Sequence, residues 1–111
     1  MSVPEISVQK LSKMLNSDEK FVLMDVRELW EIDQAKWDDP RVHVVPLSKL
    51  AQYGGVEPLD DDIQVVVACH LGLRSAQVVN WLMAQGWENV VSLRGGIEAY
   101  ALEVDESVGR Y

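Results

Sequence analysis

The stretch VVVACHLGLRSAQVVNWLMAQG, residues 65–86, decides the fold of this chain. It begins with a run of β-branched residues that is typical of a buried strand. From Ser75 onward its apolar side chains recur on one helical stripe, and Gly86 closes that helix. A strand that leads directly into an amphipathic helix indicates part of a parallel α/β unit. Cys69 lies at the junction between the two elements.

Shorter strands and helices alternate on both sides of this stretch. The predicted strands are residues 21–24, 42–45, 65–69 and 90–93. The predicted helices are residues 8–15 after an N-cap at Ser7, residues 28–33, a brief turn capped by Ser48, the helix from Ser75, and a last helix after Gly95-Gly96. This alternation predicts an α/β fold with a mostly parallel central sheet flanked by helices on both faces. Ligands of such sheets bind beyond the carboxyl ends of the strands, where Cys69 lies.

Length and composition predict one domain, residues 1–111. A chain of 111 residues with 48% hydrophobic content has enough material for one core, and two domains would each be too small. The formal net charge of −8 argues against nucleic acid as a partner, since phosphate backbones need a basic face. The sequence shows neither an apolar run long enough to span a membrane nor an export signal, so we expect a cytoplasmic protein.

The single cysteine stands in a strand-to-helix loop, CHLGLR, residues 69–74. A lone cysteine is most often a small buried apolar residue. In this loop, however, the unpaired N–H groups of the helix start would stabilise a thiolate at neutral pH. Gly72 permits the backbone conformation that a tight cradle of amides requires, and Arg74 adds a permanent positive charge. One cysteine and two histidines at no ligand spacing predict no metal site, and we expect no cofactor.

The cysteine loop resembles the active-site signature of the rhodanese family, in which such a loop cradles a cysteine persulfide. Three further stretches carry the same resemblance in the same order, so that it covers nearly the whole chain. They are Asp25-Val26-Arg27-Glu28, Gly86-Trp87-Glu88-Asn89-Val90 and Arg94-Gly95-Gly96-Ile97-Glu98-Ala99-Tyr100. The resemblance implies a single rhodanese-like domain. Residues 34–43 depart from the family's Gly-His-Ile/Leu-Pro-Gly-Ala segment, so acceptor recognition transfers less readily than the cysteine loop.

The resemblance also implies the activity of a sulfurtransferase. Cys69 would attack the outer sulfur of a small anionic donor such as thiosulfate, carry it as a persulfide and pass it to a thiol or protein acceptor. The remainder of the loop would bind the substrate, with backbone amides around the sulfur and the Arg74 charge holding the donor or the loop. The residues concerned are His70, Leu71, Gly72, Leu73, Arg74 and Ser75.

Two other functions remain alternatives at this point. A Cdc25-like phosphatase also surrounds a cysteine with amides and an arginine, but its loop normally has five residues between them to fit a phosphate. This chain has four, residues 70–73, which disfavours that alternative. A module that delivers persulfide sulfur to one protein partner is compatible with the acidic charge and the unusual 34–43 segment.

Four neighbouring features receive a structural interpretation. We expect Asp25, at a strand end, to accept backbone hydrogen bonds rather than to move a proton. The i,i+4 spacing of Arg27 and Glu31 predicts a structural ion pair. His70 could donate to a substrate oxyanion, but we expect its side chain on the outer face of the loop without a partner for base catalysis. Residues 53–55 could cover the site or form an ordinary turn.

Overall fold

The computed structural model describes residues 3–52 and 63–111. The strands are β1 Glu5–Ile6, β2 Phe21–Asp25, β3 Val42–Val44, β4 Gln64–Ala68 and β5 Val90–Leu93. The helices are α1 Val8–Leu15, α2 Leu29–Ile32, α3 Leu47–Gln52, α4 Leu73–Ala84 and α5 Gly96–Glu103, followed by a 3-10 turn at Glu106–Val108. The predicted turn or cover at residues 53–55 lies outside the described residues. No helix in the described ranges is both long and apolar enough to cross a membrane.

The strands form one parallel sheet in the order β1-β5-β4-β2-β3. Strand β4 occupies the centre, where Met24 of β2 lies beside Val67 and Val67 lies beside Ser92 of β5. The sheet therefore confirms the α/β architecture predicted from the alternation of elements. Because the strands are parallel, their carboxyl ends share one edge, and the chain passes from β4 into the cysteine loop at the middle of that edge.

Alternate side chains of β4 enter two hydrophobic clusters on opposite faces of the sheet. Val66 and Ala68 pack with residues of α1 and α5, whereas Val65, Val67 and Cys69 pack with residues of α3 and α4. Both faces of the sheet are thus covered by helices, as predicted. Cys69 lies on the same face of the sheet as Val65 and Val67, so its side chain is buried.

Several element boundaries differ from the prediction by one or two residues, and one predicted cap is wrong. Helix α4 begins at Leu73 rather than at Ser75. The sequence pattern detects a helix by its buried apolar stripe, and the exposed residues that open α4 do not belong to that stripe. Strand β4 ends at Ala68, which leaves Cys69 in the loop. Ser48 lies inside α3 and does not cap it; its hydroxyl hydrogen-bonds the carboxylate of Glu28 at 2.7 Å instead.

Candidate functional site

The sulfur of Cys69 occupies the N-terminal end of helix α4. The residue is 1% exposed, and its Sγ accepts hydrogen bonds from the amide of Gly72 at 3.1 Å and from that of Ser75 at 3.3 Å. The Ser75 amide is the third of the helix, the donor that a capping side chain normally satisfies. The sulfur therefore stands where a helix-capping oxygen would stand. A negative charge on it would be stabilised by both amides and by the helix dipole.

The other loop residues surround the sulfur without bonding to it. Six loop residues were predicted to bind the substrate. Within the described residues 3–52 and 63–111, only two of these six, Gly72 and Ser75, donate a hydrogen bond to Sγ. The side chains of Leu71 and Leu73 point outward, and these residues are 55% and 74% exposed. The loop thus has a polar interior made by two amides and an apolar outer rim.

Gly72 adopts the left-handed conformation that the sequence analysis expected, with φ +96°. It is the N-cap of α4, and a Cβ at this position would lie 3.0 Å from the backbone nitrogen of Gly95. A side chain is therefore disfavoured both by the backbone angle and by the neighbouring loop. This conformation turns the Gly72 amide toward the sulfur.

Helix α5 holds the other side of the loop. The amides of Ile97 and Glu98, in the first turn of α5, donate to the carbonyls of Cys69 at 3.0 Å and His70 at 3.1 Å. Gly96 lies in the same turn with φ +64°, and a Cβ there would lie 2.4 Å from the His70 carbonyl oxygen. Only glycine allows α5 to approach the loop this closely. Two helix starts therefore meet at Cys69, with α4 bonding its sulfur and α5 its carbonyl.

A pair of buried hydroxyls completes the polar contacts beneath the sulfur. The Oγ of Ser75 lies 3.5 Å from Sγ and donates to the Gly72 carbonyl at 3.2 Å. It shares a hydrogen bond of 2.8 Å with the hydroxyl of Ser92 from β5. Sequence analysis missed Ser92, although the sequence shows it as the one polar residue in the apolar run of residues 90–93. The structure shows that it is fully buried.

Arg74 does not contact the sulfur, because its guanidinium pairs with Glu31 of α2. Its two terminal nitrogens bond the two carboxylate oxygens at 2.6 and 2.7 Å. The hydrogen bond from Arg74 lowers the pKa of Glu31 from 4.5 to about 2, while the carboxylate raises that of Arg74 above its ordinary value. Both groups are therefore charged at neutral pH, and the pair ties α2 to the start of α4.

The predicted ion pair of Arg27 with Glu31 is wrong. Arg27 precedes α2, whose N-cap is Glu28, so the i,i+4 geometry of a helix does not apply to it. Its buried guanidinium instead forms two hydrogen bonds with Asp25, at 2.9 and 2.8 Å. Asp25 also accepts the backbone N–H of Arg27 at 3.2 Å, which confirms its structural interpretation. This pair closes the turn that follows β2.

Tyr111 lies over the loop at His70, a contact that sequence analysis missed. The two rings stack with centroids 4.0 Å apart and an interplanar angle of 15°. The Tyr111 hydroxyl donates to Glu31 at 2.7 Å and accepts from Arg27 at 3.3 Å. Burial raises the pKa of Tyr111, which keeps this hydroxyl protonated at neutral pH. The His70 ring is therefore covered rather than free, and its Nε2 finds no hydrogen-bond partner among the described residues.

We expect the Glu31–Arg74 pair to stabilise the fold in a pH-dependent way. The folded pKa of Glu31 lies below its ordinary value, so this stabilisation is complete above pH 4.5 and is lost as the pH falls towards 2. The loss amounts to at most about 3 kcal/mol. Urea unfolding between pH 7 and pH 2 should therefore show a steeper fall for the parent than for Glu31→Gln or Arg74→Ala. Equal slopes in all three proteins would contradict this role of the pair.

Comparisons with known proteins find similar sequences and similar solved structures. The family model of the rhodanese-like domain matches residues 7–103. A rhodanese-like/PpiC domain-containing chloroplastic protein of Arabidopsis thaliana is 39% identical over 98% of this chain. A sulfurtransferase of Allochromatium vinosum is 35% identical over 89% of this chain and 89% of its own length. The crystal structure of a rhodanese-related protein from Thermoplasma volcanium is 26% identical, with TM-score 0.75 over 92% of this chain and 94% of that one.

These relatives differ in how much of their length the chain accounts for. This chain spans 38% of the Arabidopsis protein, whereas it spans most of the Allochromatium sulfurtransferase. The similarity therefore concerns the domain that carries the cysteine loop. The Arabidopsis relative is chloroplastic, and a cytoplasmic location for this chain stays a prediction.

Proposed function

This chain belongs to the family of rhodanese-like domains, and on that premise we propose that it transfers sulfane sulfur through a persulfide on Cys69. One observation carries the proposal: the buried Sγ of Cys69 accepts the amides of Gly72 and Ser75 at the start of α4. The same donors suit both a thiolate and a terminal persulfide sulfur, because each carries a negative charge. The name of the Allochromatium relative, a sulfurtransferase, agrees with this chemistry.

In the first half-reaction the Cys69 thiolate attacks the outer sulfur of thiosulfate. A bond forms between Sγ and that sulfur, while the bond between the two sulfur atoms of thiosulfate breaks and sulfite leaves with the electron pair. In the second half-reaction a nucleophile such as cyanide or a thiolate takes the outer sulfur and returns Cys69 to its thiolate form. The two half-reactions share one covalent intermediate and need no oxidant.

We expect incubation with thiosulfate to add the mass of one sulfur atom to the protein. The chain has one cysteine, so the intact mass reports on Cys69 alone. Cyanide should restore the original mass and release thiocyanate. Mercaptopyruvate and a low-molecular-weight persulfide serve as parallel donors, and an aryl phosphate serves to test the phosphatase alternative. An unchanged mass with all three sulfur donors, or hydrolysis of the phosphate, would contradict the proposal.

A second candidate is delivery of sulfur to one protein acceptor. The outward-facing Leu71 and Leu73 favour it, since an apolar rim beside the nucleophile suits contact with another protein surface more than with a small anion. Kinetics separate the two candidates. A carrier would form the persulfide but pass it slowly to cyanide or free thiols, whereas a sulfurtransferase of small molecules would turn over many times.

A further inference from the structure

A continuous line of polar contacts runs from the end of β2 to the start of α4. Asp25 pairs with Arg27, Arg27 donates to the Tyr111 hydroxyl, that hydroxyl donates to Glu31, and Glu31 pairs with Arg74. Every distance in this line lies between 2.6 and 3.3 Å. The Tyr111 hydroxyl joins the side chains of the two ion pairs, because it contacts both, while Arg27 also donates a longer hydrogen bond of 3.4 Å to the backbone carbonyl of Glu31.

Tyr111 also touches the residue that follows the nucleophile. Its ring stacks on the His70 imidazole at 4.0 Å, and His70 is the neighbour of Cys69 in the loop. Two contacts outside the cysteine loop hold the residues that precede Tyr111. Arg110 pairs with Glu98 of α5 at 2.9 Å, and the Val108 carbonyl accepts the amide of Lys36 at 2.8 Å. Contacts outside the loop therefore hold the segment that brings Tyr111 over His70.

The Tyr111 hydroxyl is one of the groups that fix the Glu31 carboxylate. Oε2 of Glu31 accepts from Arg74 at 2.7 Å and from Tyr111 at 2.7 Å. Its Oε1 accepts from Arg74 at 2.6 Å and from the backbone amide of Glu28 at 3.1 Å. Without the hydroxyl, Oε1 would keep both donors, but Oε2 would keep only Arg74, so the carboxylate and the guanidinium paired with it would be less restrained. Because Arg74 is the second residue of α4, this loss of restraint reaches the helix start whose amides bond the sulfur.

We propose that Tyr111 is a positioning residue for the cysteine loop, acting through Glu31 on Arg74 and the first turn of α4. This inference rests on the proposed function only for its consequence, which is a slower formation of the persulfide. The contacts themselves, and the restraint they place on Arg74, are independent of the substrate.

The test uses Tyr111→Phe, which keeps the ring over His70 and removes only the hydroxyl. Loss of a hydrogen bond to a charged group corresponds to a fall on the order of tenfold in the single-turnover rate of persulfide formation, followed by intact mass. Tyr100→Phe is the matched control. It deletes the same atom from a tyrosine that packs edge-on against Trp37, and the rate should stay within about twofold of the parent.

A double-mutant cycle shows whether Tyr111 acts through Arg74. In an Arg74→Ala background the effect of Tyr111→Phe should shrink to less than about twofold, since the side chain to be positioned is gone. An undiminished tenfold loss in that background, or no loss in the parent background, overturns the inference. A merely stabilising hydroxyl would give additive losses. Circular dichroism and thermal unfolding confirm that the rates are compared between folded proteins.

A second readout does not depend on sulfur transfer. The terminal guanidinium protons of Arg74 should give separate NMR signals in the parent, because the two-point pairing with Glu31 slows rotation of the group. Tyr111→Phe should speed that rotation and merge the signals, whereas Tyr100→Phe should not. Unchanged signals in Tyr111→Phe overturn the inference. If the parent accepts no sulfur while the NMR result is as expected, the proposed function fails and the positioning contact stands.

Discussion

Replacing Cys69 with serine should reduce sulfur transfer to the background rate. Serine keeps a polar atom where the Gly72 and Ser75 amides converge, so the helix start remains capped and the fold is retained. A hydroxyl is, however, a far weaker nucleophile than a thiolate at neutral pH. The variant should therefore stay unlabelled by thiosulfate, with a free energy of unfolding within about 1 kcal/mol of the parent.

The measurement pairs intact mass after exposure to thiosulfate with urea unfolding. Ser92→Ala is a useful comparison, because it removes a buried hydroxyl near the loop and leaves the thiol in place. That variant should still gain one sulfur. Uptake of sulfur by Cys69→Ser would show that a group other than the chain's single cysteine carries it, and Cys69 would lose its assigned role.

Replacing Gly96 with alanine should both destabilise the protein and disable the loop. The new Cβ would lie 2.4 Å from the His70 carbonyl oxygen and 2.5 Å from that of Cys69, both of which are backbone atoms. The positive φ adds strain to this overlap. The two effects together should cost more than about 3 kcal/mol, and the folded fraction should transfer sulfur slowly because the loop is displaced.

Gly86→Ala is the matched control for this variant. Gly86 also has a positive φ, +98°, but a Cβ there would meet nothing within 4 Å. It should therefore show the backbone cost alone, about 1 to 2 kcal/mol, with normal sulfur transfer after correction for the folded fraction. Urea midpoints and persulfide formation measure both quantities. Equal destabilisation by the two substitutions would mean that the close approach of α5 to the loop does not matter.

Much of the fold could be predicted because its signals are local. The valine run of β4 and the apolar stripe of α4 identify their elements within a few residues, and their alternation indicates a parallel sheet with the cysteine at its carboxyl edge. Strand β1 escaped prediction because Glu5–Ile6 is too short to show any periodicity. Its place in the sheet comes from pairing with Ser92 and Leu93 of β5, far along the chain.

The candidate site was predictable only where one segment builds it. The need for a positive φ at Gly72 follows from the loop itself, and the structure agrees. The partner of Arg74 could not be read in this way, since Glu31 is 43 positions away and Tyr111 is 80 positions from Glu31. The expected Arg27–Glu31 pair failed for a different reason. Arg27 precedes α2, so the i,i+4 rule for helices does not apply to it, and its partner Asp25 lies only two positions away.

Because the sole thiol is buried, the rate at which a reagent labels it reports how often the structure around it opens. With Cys69 only 1% exposed, a bulky thiol reagent reaches the sulfur only when the contacts with α4 or α5 separate. In the regime of rapid closing, the labelling rate is the intrinsic rate multiplied by the open fraction, as in native-state exchange of amide hydrogens. Because no second cysteine competes for the reagent, the free energy of that opening is measurable without introducing any probe.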